Sequence, residues 1–309
     1  MSTHHSDDRL LTDDLLLRDD APERVLIRNG RVVSVTGVRV ADVLIERGLV
    51  ARVADRIDDA GRDAVVIDAL GKHLLPGAID LHVHFRDPLP SNPAEDLRSG
   101  SRAAAAGGVT GFADMPNTDP PTITPEALAA KKALAAEKCA IDYAFYPTLG
   151  SSQAEVLGRY DRHGIPGFKA YMGGTTAADA MSEDDLHVTF AAAAELDVPV
   201  TVHSEDDSVI AENLERYRDR LDDPAVHPLI RDNVCCVKAT VRAIGLAREH
   251  GAWLHVAHLT TAEEVLVIEE AVASGVHVTA ETTLHHLLLN DTHYARLGNY
   301  LKCNPAVKS

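Results

Sequence analysis

The chain of 309 residues is short of the features that mark several protein classes. Cysteine is scarce: Cys139, Cys235, Cys236 and Cys303 form no CxxC pair, and two are adjacent. That argues against a disulfide framework or a zinc knuckle and suits a reducing, cytoplasmic setting. Cys303 is expected to be a buried, inert thiol. No run of about 18 apolar residues occurs, so no transmembrane helix is expected. Residues 1–23 alternate acidic patches with a short LLL. They lack the basic start and apolar stretch of a secretory signal and read as a solvated acidic tail in which His4 and His5 do nothing. Basic residues are in deficit, 30 Lys and Arg against 47 Asp and Glu, for a net charge of −17. This argues against nucleic acid and anionic membranes as partners. Lysine is rarer still, with eight in the chain, and acid-rich, lysine-poor composition suggests a salt-adapted host.

What is present is a chain 45% hydrophobic, enough for one large domain or one large and one small. Residues 24–75 are rich in valine and isoleucine, with turn signals at Asn29-Gly30 and Arg47-Gly48. They predict short antiparallel strands in a small sheet, half of a sandwich. From Leu74 onward apolar strand-like runs alternate with alanine-rich amphipathic stretches: LLPGAIDLHVHF, VTGFADM, IDYAFYPTL, GFKAYM, VPVTVHS, AWLHVAHL and VHVTAETT. Gly108, Gly251 and Gly275 close helices before the next strand. The alternation predicts an α/β fold, a barrel or a doubly wound sheet. Polar residues at the C-terminal side of nearly every strand favour the (β/α)8 barrel, with seven strands present in 76–309. Residues 207–233 form a long excursion after the fifth strand, suited to a lid or an oligomer contact.

The chemistry begins with His82 and His84, two residues apart on a strand and therefore on one face. A lone strand histidine is more often a satisfied core residue, but a same-face pair flanked by Asp80 and Arg86 reads as a metal site. His203 and His258 stand at the same ends of later strands. Four such imidazoles are a costly set for a core to satisfy, and imidazole suits zinc and its neighbours. His255 is out of phase with His258 and reads as structural. Lys169 ends the fourth strand, where burial beside cations would depress its pKa. The resulting neutral amine can add carbon dioxide to form an anionic carbamate. The alternative is an ammonium that reaches solvent or a substrate anion.

The segments DLHVHFRDP, DMPNT, GFKAYMG, VHSED, HVAHLTT and KCNPAVKS, in this order, resemble the dihydroorotases of the amidohydrolase superfamily, of the bacterial and archaeal type that carries lysine on strand four. The resemblance covers Val25 to Ser309. It implies two zinc ions per subunit, with His82 and His84 on one, His203 and His258 on the other, and Lys169 bridging both as N6-carboxylysine. It also implies that Arg86 and Asn117 hold a substrate carboxylate and that Asn304 contacts the ring. The implied reaction is the reversible hydrolysis of dihydroorotate to N-carbamoyl-aspartate, in pyrimidine biosynthesis, by a homodimer or homotetramer. Physically, Arg86 shares the strand parity of the ligands, so its fork can grip a carboxylate beside the cations. Glu205, Asp206 and Glu281 follow strand ends and suit partners of ligand histidines. His285 and His286 match a histidine pair of the family without an assigned role.

One departure stands out. The family's general acid/base, an aspartate after strand eight, has no match before Ser309. The expectation is a fragment of a longer chain that binds zinc and, alone, turns over poorly. Competing readings are an allantoinase or hydantoinase and a non-catalytic scaffold that resembles dihydroorotase.

Overall fold

The protein is described by a computed structural model covering residues 22–88, 95–149, 159–176 and 178–309. All but the last two residues of the acidic segment 1–23, His4 and His5 included, lie outside the described residues. The chain divides into two compact units. One holds the described residues up to Ile79 together with Gly107–Thr110, and the other holds Asp80–Ala106 and Gly111–Ser309.

The first unit is a single sheet of β1 (Arg24–Ser34), β2 (Gly37–Glu46), β3 (Leu49–Ala54), β4 (Val65–Asp68) and β5 (His73–Leu74). Strand order is β3-β2-β1-β4, with β5 also paired to β1. Leu26, Leu44, Ile57 and Ala60 form its buried centre. Two expectations need correction. Asn29-Gly30 is not a hairpin turn: β1 runs straight through it, and the turn lies at residues 35–36, between Ser34 and its partner Gly37. The register shifts between Ile27 and Gly30, and Asn29 takes a positive φ of 60° as part of a bulge. Nor is the sheet wholly antiparallel, since β4 and β5 pair with β1 in parallel. Arg47-Gly48 does make a two-residue hairpin, both residues with positive φ, between Glu46 and Leu49.

The bulge is held from below. Asp42 Oδ1 accepts the Asn29 backbone N–H at 3.0 Å, and Oδ2 accepts that of Ile57 at 2.9 Å. Burial opposes its charge, but those two donors outweigh it and hold the carboxyl below its ordinary range. Asp42→Ala strands two donors, at about 1–3 kcal/mol each. We expect this unit to lose about 2–4 kcal/mol in a denaturant titration, and a loss below 0.5 kcal/mol would remove Asp42 from this role.

Seven further strands follow: β6 (Ala78–Val83), β7 (Val109–Asp114), β8 (Asp142–Phe145), β9 (Phe168–Tyr171), β10 (Val200–His203), β11 (Leu254–Val256) and β12 (Val278–Ala280). They form two ladders in chain order, β6-β7-β8 and β9-β10-β11-β12. Thr148 bridges to Lys169, whose N–H donates to Pro147 O at 2.9 Å, joining the ladders. Between the strands come α1 (Leu97–Ala106), α2 (Pro125–Lys138), α3 (Glu183–Leu196), α4 (Asp207–Arg216), α5 (His227–Ile230), α6 (Asn233–His250) and α7 (Ala262–Ala273). This is an α/β fold of the (β/α)8 TIM-barrel type, with seven barrel strands among the described residues. Thr124, Ser182, Asp206, Asp232 and Thr261 cap helix starts by accepting backbone N–H groups. The excursion at 207–233 is filled by α4, α5 and short 3-10 turns. Strand residues Phe145, Phe168, Val200 and Leu254 and helix residues Leu186 and Phe190 are fully buried against one another. Among the described residues no helix is long and apolar enough to cross a membrane.

Candidate metal centre

The strand ends bring the predicted residues together. His82 lies on β6 and His84 one residue past its end, with their Nε2 atoms 3.3 Å apart. His203 closes β10, and its Nδ1 lies 3.1 Å from Nε2 of His258, two residues past β11. His82 and His258 complete the ring, with centroids 5.1 Å apart. Lys169 is the second residue of β9 rather than its end; it is buried and lines one cavity with His84, His203 and His258. His258 (φ 41°) and Arg86 (φ 54°) both occupy the left-handed region, which side chains other than glycine rarely adopt.

Behind this ring stands a layer of acceptors. Glu281 takes the Nδ1–H of His82 and approaches Nε2 of His255 at 3.5 Å. Glu205 takes Nε2–H of His203 at 2.8 Å and is gripped by Arg231. Asn117 Oδ1 accepts Nδ1–H of His84 at 2.8 Å, while its Nδ2 donates to Thr176 O at 2.8 Å. Both ends of that amide are therefore engaged, which makes Asn117 an orienter of His84. Asp206 is different: it caps α4 and pairs with Lys238. Burial holds all four ring histidines below their ordinary pKa, His84 and His258 well below. Burial works against the charge of Glu205 and Glu281, but their histidine partners outweigh it and leave both ionised.

The consequence is geometric. With Nδ1–H of His82 and of His84 both given away, their two Nε2 lone pairs face each other across 3.3 Å. His258 Nδ1 and Lys169 Nζ are buried with no partner among the described residues. Burial lowers the Lys169 amine to about 7.

A cavity of about 230 Å³ opens over this group, lined by Arg86, Asn117, Lys169, Tyr171, Thr175, Thr176 and Asn304 as well as histidines 84, 203 and 258. Asp87 is taken by Lys138 and the Leu97 N–H, so Arg86 is not the surface partner of its neighbour. Its buried Nη1 has no partner among the described residues, and neither does the Tyr171 hydroxyl. Burial lowers the Arg86 pKa and raises that of Tyr171. Asn304 and Cys303 line this cavity and an adjoining one of about 440 Å³ that includes His82, Glu281, His285 and His286. Cys303 is thus half-buried at a cavity wall rather than buried away, although burial does push its thiol up. His286 donates Nε2–H to Pro305 O at 3.1 Å, a structural contact. Tyr171 and Arg231 went unnoticed in the sequence. Tyr171 stands two residues after Lys169, so strand parity could have found it, whereas nothing in the sequence marks Arg231.

Residues 73–296 match the model of the amidohydrolase family. The chain belongs to that family. Among amidohydrolases it is 35% identical over 292 residues to an allantoinase of Rubrobacter xylanophilus, covering 92% of this chain and 63% of that protein. It is 36% identical over 300 residues to a dihydroorotase of Carboxydothermus hydrogenoformans, covering 92% and 65%. Its fold overlays an L-hydantoinase (dihydropyrimidinase) from Arthrobacter aurescens with a TM-score of 0.86 at 30% identity, covering 92% and 64%. The chain therefore spans a little under two thirds of the length of these amidohydrolase relatives.

Proposed function

We propose that the site holds a pair of divalent cations, zinc by its donor set, and hydrolyses a cyclic amide that bears a carboxylate, dihydroorotate above all. The donors fit such ions. Opposed lone pairs on His82 and His84 and an orphaned His258 Nδ1 are unfavourable in a dry pocket and favourable around a cation. In this reading His82, His84, His203, His258 and Lys169 would hold the pair. A neutral Lys169 amine adds carbon dioxide through its nitrogen, releases a proton and gains the anionic oxygens that a bridge needs. The bound cations would supply a Lewis acid for the amide carbonyl and a water acidic enough to react near neutral pH.

The chain's own residues do the rest. Glu205, Glu281 and Asn117 fix the tautomers of three imidazoles, so that each presents a lone pair inward. Arg86 holds the substrate carboxylate with two parallel hydrogen bonds, and Tyr171 offers a further donor from the same wall. Asn304, which lines the same cavity, contacts the ring.

The single observation that carries the substrate assignment is the buried, unpartnered Nη1 of Arg86. A neutral ring with no acceptor there would leave that buried donor unsatisfied, at a cost of about 1–3 kcal/mol. The rival reading, an allantoinase, draws on the R. xylanophilus relative, whose identity nearly equals that of the dihydroorotase. Calorimetric binding of dihydroorotate, allantoin and dihydrouracil to the zinc-loaded chain separates them. Tightest binding of dihydroorotate is expected, and tighter binding of allantoin would transfer the assignment.

Arg231 acts here through Glu205. Arg231→Met leaves Glu205 buried with half its partners gone, at about 3–5 kcal/mol. Zinc affinity should fall about 10–100-fold, read by competition with a chromophoric chelator. Unchanged affinity would make Arg231 merely structural.

A further inference from the structure

A second imidazole pair lies on the helical layer, away from the strand ends. His187 stands in the second turn of α3, and His250 is the last residue of α6, a helix that packs against α3. Across 63 positions of sequence their Nδ1 and Nε2 atoms come within 2.9 Å. The rings meet edge to face at 71°, with centroids 5.1 Å apart. The Glu249 carboxylate lies 3.7 Å from the same Nδ1 of His187.

We propose that His187, Glu249 and His250 form a separate transition-metal site, selective for zinc and its neighbours, that ties the start of α3 to the end of α6. One donor atom from each residue lies within 4.8 Å of the others, close enough for a single ion to touch all three. The imidazole approach of 2.9 Å resembles the 3.3 Å and 3.1 Å approaches at the barrel centre. Two imidazoles and one carboxylate are a zinc donor set that leaves one position for water. The side chains permit this, since His187 is 42% and Glu249 61% exposed. Position helps as well. The last carbonyls of α6 carry partial negative charge, which favours a cation at its end. The net charge of −17 enriches divalent cations at the surface. A plain histidine–histidine hydrogen bond accounts for the 2.9 Å contact but gives Glu249 no part.

The test counts ions as a difference between variants, so it does not depend on what the barrel binds. The full chain and its His187→Gln and His250→Gln variants are dialysed against micromolar free zinc, and metal is measured per chain. Wild type is expected to hold one ion more than either variant. Zinc should raise the melting temperature of a Lys169→Ala chain and fail to raise that of Lys169→Ala with His250→Gln. Equal counts in all three proteins, or equal melting shifts in the two backgrounds, would overturn the site. Failure of the barrel reading shows differently: Lys169→Ala would then lose no ions, whatever the variants at His187 and His250 do.

Discussion

Arg86→Met is expected to lower kcat/KM for dihydroorotate by about 10²–10⁴-fold while leaving turnover of an uncharged ring within about threefold. The magnitude follows from two hydrogen bonds between charged groups, each contributing about 1.5–3 kcal/mol, at 1.4 kcal/mol per tenfold. The asymmetry matters more than the size. Arg86 Nη1 is buried with no partner among the described residues and lines a cavity with Lys169 and Tyr171, so a ligand acceptor completes it, and a carboxylate does so with the strongest bond. Arg86→Lys keeps the charge but loses the fork, and should recover less than a tenth of the lost rate. Steady-state kinetics on paired substrates reads both. Equal loss on charged and neutral rings would mean that Arg86 shapes the pocket without recognising a carboxylate.

Lys169→Met should have two opposite effects. In metal-free protein it removes a fully buried amine with no partner and is expected to stabilise the chain by about 1–3 kcal/mol. In the same protein it should abolish cation retention at the barrel centre, and turnover with it. The pH dependence separates the amine from other causes. Burial lowers the Lys169 pKa from 10.5 to about 7, so between those values the unfolded chain carries a proton that the folded chain lacks. Stability must therefore rise with pH across that window, by up to about 1.4 kcal/mol per unit, and fall as pH drops toward 7. Denaturant titrations of metal-free protein in carbonate-free buffer at pH 7.5 and 9.0 should show wild type gaining about 1–2 kcal/mol over Lys169→Met. A flat difference would mean that the amine is not depressed.

The centre was legible where chemistry repeats along a strand and dark where it depends on segments meeting. Two-residue parity turned His82 and His84 to one face, and position at strand ends singled out His203 and His258, whereas Lys169 was placed at a strand end and lies inside β9. Asn117 could not be understood that way. Its amide is consumed by His84 and Thr176, 33 residues before it and 59 after it, a matter of tertiary placement. Arg231 comes from the excursion to seize Glu205, and no local pattern announces it. Asn29-Gly30 carries a strong turn signal, yet Asp42 captures the Asn29 N–H and makes the pair a bulge within a continuous strand. The parallel pairing of β4 and β5 was hidden too, because valine-rich runs do not state their direction.

Crystals of the zinc-loaded full chain, measured at the zinc absorption edge, address the central claim. Two anomalous peaks about 3.5–4 Å apart are expected, flanked by the four imidazoles and joined through Lys169 carrying an added carboxylate. A site with density for an unmodified lysine and no anomalous signal among those histidines would contradict it.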